Sequence, residues 1–391
     1  MQKLLRSVEK LTDEMIAIRR RIHENPEVGL CEHETAALIS ERLTEAGIDH
    51  RTGVGGTGIV AVVRGAKRGK CIGLRGDMDA LLIQEETGLE FASKNPGVMH
   101  ACGHDSHVAM VLGAGLALHE CRQSLRGSVK LLFQQAEETV GGAPLMIADG
   151  ALEKPKMDAA VAVHAWKDPV GMVSLRYGEH LAAADGVQIT VKGKGGHGAM
   201  PEVAADPVLA SANVIVALQQ IVSRRVSPVQ PAVVSICRIE GGTSYNIIPS
   251  DVKLAGTIRT FGGEVQDLVE AEVKRVAKAA AKTYACAALV KYTRSCPALI
   301  HDEALTRLTE EACRELLGDE NVDIAPTPCM GAEDFAFFAQ EVPATQIAVG
   351  MTTPGGAAPL FHHPEFAIDE RGIPVGAKAL AATAWRFLNG R

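Results

Sequence analysis

The sequence has no long apolar run and no block of basic residues. A transmembrane helix needs roughly twenty consecutive apolar residues, and no stretch of that kind occurs in the chain. The formal net charge is −7 and the lysines and arginines are dispersed, which argues against a nucleic-acid-binding surface. We therefore expect a protein that binds neither membranes nor nucleic acids.

The N-terminus lacks the apolar core of a signal peptide, and the cysteines lack the spacing of a disulfide framework. Residues 1–24 mix charged residues with spaced apolar residues, which predicts one amphipathic helix. The nine cysteines are odd in number and scattered, as is typical of reduced intracellular thiols. These features predict a cytoplasmic location.

Aromatic residues are also scarce, at 4%, whereas hydrophobic residues make up 47% of the chain. Alanine, valine, glycine and leucine supply most of the apolar content, which is typical of α/β proteins. The length of 391 residues exceeds that of one ordinary domain, so we expect two domains.

The first half of the sequence predicts a mostly parallel sheet. Short apolar strands alternate with helices, a pattern typical of parallel sheets that are covered on both faces. The predicted strands are residues 58–64, 70–75, 128–133 and 159–163, and the predicted helices are residues 105–121 and 142–149.

The pattern changes near residue 185 to a β-α-β-β-α-β order, which is the ferredoxin-like arrangement. The predicted strands are residues 187–192, 232–240, 251–260 and 287–292, and the predicted helices are residues 206–224 and 264–283. An α/β pattern returns after Pro297, with a helix over 302–317 and a strand over 346–349. We therefore predict a discontinuous metal-binding domain, 1–184 and 297–391, and an inserted domain, 185–296.

Side chains that can bind metals follow the predicted strands. Asp77 and Asp79 follow one strand, Glu137 and Glu138 follow the next, and His164 follows a third. Because the carboxyl ends of parallel strands meet at one edge of a sheet, these residues should converge there. Adjacent residues point in different directions, so one glutamate can bind a metal while the other acts on a water molecule.

The segment HACGHDSH (100–107) offers further ligands. Cys102 and His104 can face one ion from the loop that enters the next helix, and both suit a borderline-soft ion such as zinc. A buried thiol and a capping histidine are the alternative interpretation. His362 and His363 could each reach the site, and His197 in a glycine-rich loop is either a mobile catalytic group or a turn residue.

Eight motifs along the chain resemble those of the metallo-aminoacylase/carboxypeptidase family. The resemblance is strongest to its branch of hippurate hydrolases, N-acyl-amino-acid amidohydrolases and indole-3-acetyl-amino-acid hydrolases. The motifs are RGDMDALLI (75–83), MHACGHDSH (99–107), QQAEETVGGA (134–143), VAVHAWKDPVG (161–171), GKGGHGAMP (193–201), GGTSYNIIPSDVKLAGTIRTF (241–261), GAEDFAFF (331–338) and FHHPEFAIDE (361–370).

This resemblance implies two divalent metal ions per subunit. The mixed cysteine, histidine and glutamate donors make Zn²⁺ the default, with Mn²⁺, Co²⁺ or Ni²⁺ as alternatives. It implies Glu137 as the general base and His197 as a catalytic residue that reaches the partner subunit's site in a homodimer. It also implies that Asn246 and Arg259 bind the substrate carboxylate, and that Asp77 and Asp79 support the ligands. The implied metal ligands are Cys102, His104, Glu138, His164 and His362.

The expected activity is hydrolysis of the amide bond of N-acyl-L-amino acids, either hippurate-like or N-acetylated. The products are a carboxylic acid and a free amino acid. A dipeptidase or carboxypeptidase is the alternative within the family. A non-catalytic metal-binding protein on the same fold is the alternative outside enzymes.

Overall fold

The computed structural model describes residues 1–139, 141–353, 355–357 and 361–390. Contacts within the chain define two compact units. The first comprises Met1–His180, Ile300–Thr327 and Asp334–Arg391, and the second comprises Leu181–Leu299 and Pro328–Glu333. Within the described part of the chain, every helix is too short or too polar to cross a bilayer.

The helices and strands follow in chain order. From residue 2 to residue 181 they are α1 (Gln2–Lys10), α2 (Thr12–Glu24), α3 (His33–Glu45), β1 (Asp49–Val54), β2 (Gly58–Arg64), β3 (Lys67–Asp77), α4 (His104–Glu120), β4 (Arg126–Gln134), α5 (Gly142–Ala148), β5 (Ala159–Pro169), β6 (Val173–Leu175) and β7 (Gly178–Leu181). From residue 183 to residue 301 they are β8 (Ala183–Lys192), β9 (Gly196–His197), α6 (Pro207–Leu218), α7 (Gln220–Arg224), β10 (Ala232–Gly241), β11 (Ile247–Ile248), β12 (Asp251–Thr260), α8 (Gly263–Lys282), β13 (Ala287–Cys296) and β14 (Leu299–His301). The last elements are α9 (Glu303–Leu317), β15 (Val322–Ile324), α10 (Ala336–Glu341), β16 (Ala344–Thr352) and α11 (Ile373–Asn389).

The first unit is built on a twisted sheet with a parallel centre. Among the described residues this sheet has eight strands in the order β1-β2-β4-β3-β5-β16-β6-β15. The central strands β4, β3, β5 and β16 are parallel to one another. Antiparallel strands extend the sheet on both sides. The prediction of an α/β fold with a mostly parallel sheet is confirmed.

Helix α4 lies at the centre of the first unit and begins at the predicted metal-binding segment. Apolar residues occur on all of its sides, among them Val108, Met110 and Leu116, and such a helix is stable only when it is surrounded by protein. It packs against β3, β4 and β5 on one side and against α2 and α11 on the other. The N-terminus of α4 is therefore held firmly beside the sheet.

The second unit has the predicted ferredoxin-like arrangement. Its main sheet has the order β10-β12-β8-β13, and every pair is antiparallel. Helices α6 and α8 pack against this sheet and share its apolar core, which includes Val191, Val214 and Val273. The strand β10 forms one edge of the sheet.

Two predicted helices are each interrupted. The helix predicted over residues 1–24 forms α1 and α2, and the helix predicted over 206–224 forms α6 and α7. At both breaks a backbone amide bonds to the carbonyl three residues back: Leu11 to Val8 at 3.1 Å, and Gln219 to Val216 at 3.2 Å. Such bonds tighten the helix into a 3₁₀ turn, which side-chain periodicity does not reveal.

His301 in the first unit is a buried histidine whose hydrogen bonds require its neutral form. Its Nδ1–H donates to the carbonyl of Arg176 at 2.8 Å, and its Nε2 accepts the amide N–H of Gln346 at 3.1 Å. The ring stacks on His180 with 4.3 Å between the centroids. Burial lowers the pKa of His301 from 6.5 to about 4.

We predict that His301 makes the protein less stable in acid. The unfolded chain takes up a proton near pH 6.5 and the folded chain only near pH 4. The contribution of neutral His301 to stability is therefore complete above pH 6.5, and it is lost as the pH falls towards 4. Between about pH 7.5 and 4.5 this loss corresponds to about 2 to 3 kcal/mol of unfolding free energy.

Denaturant unfolding of His301→Gln at several pH values measures this pH-dependent loss of stability. The control is His33→Gln, at an exposed position. The free energy of unfolding of His301→Gln should decrease less over that pH range than that of the wild type, whereas His33→Gln should match the wild type. Equal decreases in all three proteins would contradict the assignment.

Candidate metal centre

The parallel strands of the first unit bring the predicted metal-binding segments to one edge. Asp77, at the end of β3, pairs with Gln134, at the end of β4. The segments after β3 and β4 therefore begin side by side. His164 was predicted to follow a strand, but it lies within β5 because pairing with β16 continues as far as Pro169.

A glycine allows Cys102 and His104 to reach the same place. Gly103 has a φ of +88°, a left-handed conformation that glycine adopts without strain. A Cβ atom there would also lie 2.9 Å from the Cβ of Ala165. The resulting turn places the Sγ of Cys102 3.7 Å from the Nε2 of His164.

The donor atoms of all five predicted ligands converge. They form two overlapping groups, and within each group the donor atoms lie within 4.8 Å of one another. Cys102 is common to both groups. The first group is Cys102, His104 and His164, and the second is Cys102, Glu138 and His362.

Hydrogen bonds orient two of the histidines with Nε2 towards this cluster. The Nδ1–H of His104 donates to the backbone carbonyl of Asp79 at 2.9 Å and to its carboxylate at 3.2 Å. The Nδ1–H of His164 donates to the carbonyl of Ala165 at 2.7 Å. The Nε2 of His104 is buried and has no hydrogen-bond partner among the described residues. Histidine ligands are typically oriented by bonds of this kind.

The structure separates the two C-terminal histidines. His362 has a φ of +59°, and its Nε2 lies 3.2 Å from the Oε1 of Glu138. Positive φ is uncommon in residues other than glycine, and such residues are enriched at functional sites. His363 is exposed, and its Nδ1 accepts the amide N–H of Glu365 at 3.2 Å. Of the two, His362 is the one that joins the cluster.

A tight turn orients Glu137 and Glu138. Ala136 has a φ of +54°, and its carbonyl accepts the amides of Gly141 at 3.3 Å and Gly142 at 3.2 Å. A Cβ atom at Gly142 would lie only 1.6 Å from the carbonyl oxygen of Gln135, so only glycine fits. The turn therefore depends on Gly142.

The two glutamates occupy different positions beside the cluster. The amide N–H of Glu138 donates to the carboxylate of Asp79 at 2.9 Å. Glu137 is buried, and its carboxylate lies within 4.8 Å of donor atoms of His104 and Glu138. Its Oε1 accepts the amide N–H of Asp334 at 3.4 Å. Glu137 is thus a carboxylate held next to the ligand groups.

The electrostatics of the cluster favour a bound cation. Burial opposes protonation of His104, but the carboxylates of Asp77 and Asp79 outweigh it and raise its pKa well above the usual value. Burial raises the pKa of the Cys102 thiol to about 12. A divalent ion would stabilise both the thiolate and the neutral imidazole. The donor set and the unpartnered Nε2 of His104 therefore fit a metal site.

The other residues of the HACGHDSH segment have different partners. Both nitrogens of His107 are engaged: Nδ1 bonds to the carboxylate of Asp77 at 2.5 Å, and Nε2 accepts the amide of Ala165 at 2.7 Å. His107 therefore supports Asp77 and has no nitrogen left for a metal. His100 is buried.

Asp105 lies in the first turn of helix α4 but does not cap it, because the helix has no side-chain cap. The carboxylate of Asp105 is instead buried 2.7 Å from both Arg19 and His23. His23, in the last turn of α2, lies between Asp105 and Glu85. Burial opposes protonation of His23, but these two carboxylates raise its pKa.

The remaining predicted site residues lie in the second unit. His197 in β9 pairs with Ile247 in β11, and the amide of Gly198 donates to the carbonyl of Asn246 at 2.8 Å. His197 and Asn246 are therefore neighbours, and both are exposed. Arg259 in β12 is half-buried, and its side chain has no hydrogen-bond or ion-pair partner among the described residues.

Sequence reasoning missed two groups of residues near the cluster. The half-buried rings of Trp166 and Phe361 each lie 5.9 Å from the ring of His164, in a chain with few aromatic residues. Arg75 and Asp334 form a buried ion pair at 3.0 Å. Arg75 lies two residues before Asp77, so the two share a face of β3, and this spacing was the available signal.

Comparisons with known proteins agree with this geometry. The sequence profile described as peptidase family M20/M25/M40 matches residues 73–386. An N-acetyl-L-cysteine deacetylase of Bacillus subtilis (strain 168) is 40% identical over 384 residues, which cover 98% of this chain and 90% of the relative. The IAA-amino acid hydrolase ILR1-like 2 of Arabidopsis thaliana is 39% identical over 381 residues, with coverages of 96% and 85%.

A solved structure has the same fold along the chain. It is the crystal structure of the YXEP protein of Bacillus subtilis, described as a dinuclear metal binding peptidase from the M20 family. The TM-score is 0.86 at 33% identity, and the match covers 98% of this chain and 100% of the other. The resemblance drawn from the eight motifs is confirmed: the chain belongs to peptidase family M20/M25/M40 and is a metal-dependent amidohydrolase.

Proposed function

We propose that the protein hydrolyses the amide bond of N-acyl-L-amino acids with two divalent metal ions. The observation that carries this proposal is the position of Glu137, a buried carboxylate beside a complete set of candidate ligands. The set consists of Cys102, His104, Glu138, His164 and His362. Zn²⁺ best suits these sulfur, nitrogen and oxygen donors, with Mn²⁺, Co²⁺ and Ni²⁺ as alternatives.

Glu137 is the proposed general base. When bound, the ions would lower the pKa of a water molecule and polarise the substrate carbonyl. The carboxylate of Glu137 removes a proton from the attacking water and then transfers it to the nitrogen of the leaving amino acid. The hydrogen bond from the Asp334 amide at 3.4 Å keeps this carboxylate in place between the two steps.

Residues of the second unit are proposed to bind the substrate. The free guanidinium of Arg259 suits a carboxylate, to which it can donate two parallel hydrogen bonds. Asn246 adds an amide donor. The Nδ1 of His197 accepts the amide of Ala199 at 3.1 Å, so its proton lies on Nε2, from which it can stabilise the developing oxyanion.

The aromatic pair beside His164 supports a hippurate-like substrate. Trp166 and Phe361 lie 5.9 Å apart and are both half-buried. An aromatic acyl group can stack on such a surface, whereas an acetyl group is too small to use it. A panel of hippurate, N-acetyl amino acids and a simple dipeptide would rank these substrates.

We also propose a homodimer formed through the second unit. β10 is an edge strand, and edge strands readily pair with another chain. Helix α6 exposes Val208, Leu209 and Val216, which supports an apolar contact with a partner. In this arrangement His197 would act in the site of the other subunit.

The general base can be tested with Glu137→Gln, which keeps the size of the side chain. We expect metal content to be unchanged and kcat for N-acyl amino acids to fall by about three orders of magnitude, since general base catalysis is lost. Glu120→Gln, at the exposed end of α4, is the control and should match the wild type. Substantial residual turnover in Glu137→Gln would contradict the role of Glu137.

The choice between the neighbouring histidines can be tested by metal titration of the depleted protein. His362→Asn should weaken the binding of one of two ions by at least about tenfold, because a direct ligand is lost. His363→Asn is the matched control and should bind both ions as the wild type does. The reverse result would show that His363 is the ligand.

Mixing two inactive variants tests the action of His197 across the dimer. Glu137→Gln and His197→Ala are denatured together and refolded, so that mixed dimers form. If His197 acts in the partner's site, each mixed dimer has one intact site, and about a quarter of wild-type activity should return. If His197 acts within its own subunit, no site is intact and no activity returns.

A further inference from the structure

Arg75 connects two segments of the candidate site, one that carries Asp77 and one that carries Asp334. Its side chain is fully buried in β3, and its guanidinium lies between two buried carboxylates. It donates to the Oδ2 of Asp77 at 2.7 Å and to the Oδ1 of Asp334 at 3.0 Å. Its Nε donates to the side-chain oxygen of Gln134 at 2.8 Å. The partners of this buried cation thus include residues of three different segments.

One of these carboxylates bonds to His107 and lies close to the candidate metal ligand His104. The Oδ1 of Asp77 accepts a hydrogen bond from His107, and its Oδ2 lies 3.6 Å from the Nε2 of His104. His107 in turn accepts the amide of Ala165 at 2.7 Å, next to His164. A shift of Asp77 would therefore displace the ligands on both sides of it.

The other carboxylate supports the segment of the general base. The Oδ1 of Asp334 accepts a hydrogen bond from the Gln134 side chain at 2.7 Å, and its Oδ2 accepts the amide of Ala143 at 3.0 Å. Ala143 lies at the start of α5, just after the turn of Glu137. The backbone amide of Asp334 itself donates to Glu137 at 3.4 Å.

We propose that Arg75 is a positioning residue for hydrolysis, which sets the distance between the metal-binding histidines and Glu137. This inference rests on the proposed function. Arginine suits the task because its planar group donates in several fixed directions at once, which a lysine ammonium does not. General base catalysis in turn requires a defined distance between the base and the water it deprotonates.

Arg75→Lys is the decisive variant. Removing the positive charge leaves two buried carboxylates without their cation, which strongly destabilises a protein, whereas lysine keeps the charge and loses the fork. The control is Arg64→Lys, at the exposed end of strand β2 in the same sheet. Both full-length proteins are depleted of metal and then titrated with Zn²⁺ or Mn²⁺ alone.

We expect Arg75→Lys to bind metal about tenfold more weakly and to lose about 10- to 100-fold in kcat when it is saturated with metal, as is typical when support for ligands is removed. KM should change much less, because Arg75 does not touch the substrate. Circular dichroism and the thermal midpoint report on folding. Arg64→Lys should match the wild type in every measurement.

A double-mutant cycle with Asp334→Asn tests whether Arg75 acts through this carboxylate. If it does, the losses in kcat from Arg75→Lys and Asp334→Asn should be strongly non-additive. A merely structural role would lower the thermal midpoint but leave the metal affinity and the kcat of the saturated enzyme unchanged. That result, or additive losses in the cycle, would overturn the proposal.

If the proposed function is wrong, the measurements give a result that differs from failure of the Arg75 proposal. In that case the wild-type protein binds metal but hydrolyses none of the N-acyl amino acids. The metal affinity of Arg75→Lys then decides the proposal by itself, and an affinity equal to that of the wild type overturns it.

Discussion

The site depends on the parallel pairing of β3 with β4 and β5. The register of Asp77 with Gln134, and of Arg75 with Ala162, brings segments that are distant in sequence to one edge of the sheet. A slip of one residue would turn every side chain of a strand to the opposite face. Arg75 and Asp77 would then leave the site together. The apolar face of the sheet, packed on α4, makes that slip costly.

Charge balance is the second constraint on the site. Carboxylates that are removed from water need cations or hydrogen-bond donors close by. Asp77 has Arg75 and His107, and Asp105 has Arg19 and His23. Around Cys102 and Glu138 the surroundings still favour positive charge, as the raised pKa of His104 shows. Metal binding should therefore stabilise the folded protein as well as activate it.

Much of the fold could be predicted because the apolar strands and the amphipathic helices have clear periods. The edge of the sheet at which Asp77, Glu137 and Glu138 meet followed from strand order alone. The extension of β5 past His164 could not be predicted, because it depends on β16, which lies far along the chain. The helix breaks at Leu11 and Gln219 could not be predicted either. They arise from local backbone hydrogen bonds that do not change the spacing of the apolar residues.

The roles of particular residues were harder to predict than their location. Sequence spacing left His362 and His363 equivalent, and the backbone turn at His362 and its contact with Glu138 distinguish them. Asp105 lies in the first turn of α4, where acidic residues are common, but Arg19, far away in the sequence, forms an ion pair with it. Arg75 was overlooked because the apolar pattern of a sequence does not reveal a buried arginine. Its partner Asp334 also lies 259 residues away.

The central claim is that two divalent ions bind among Cys102, His104, Glu138, His164 and His362. Anomalous diffraction from crystals of the zinc-loaded protein would test it most directly. We expect two peaks per chain, each about 2.0 to 2.3 Å from its ligand atoms, with Glu137 close to both ions but bound to neither. A single peak, or peaks bound by His363 or Glu137 in place of these ligands, would contradict the account.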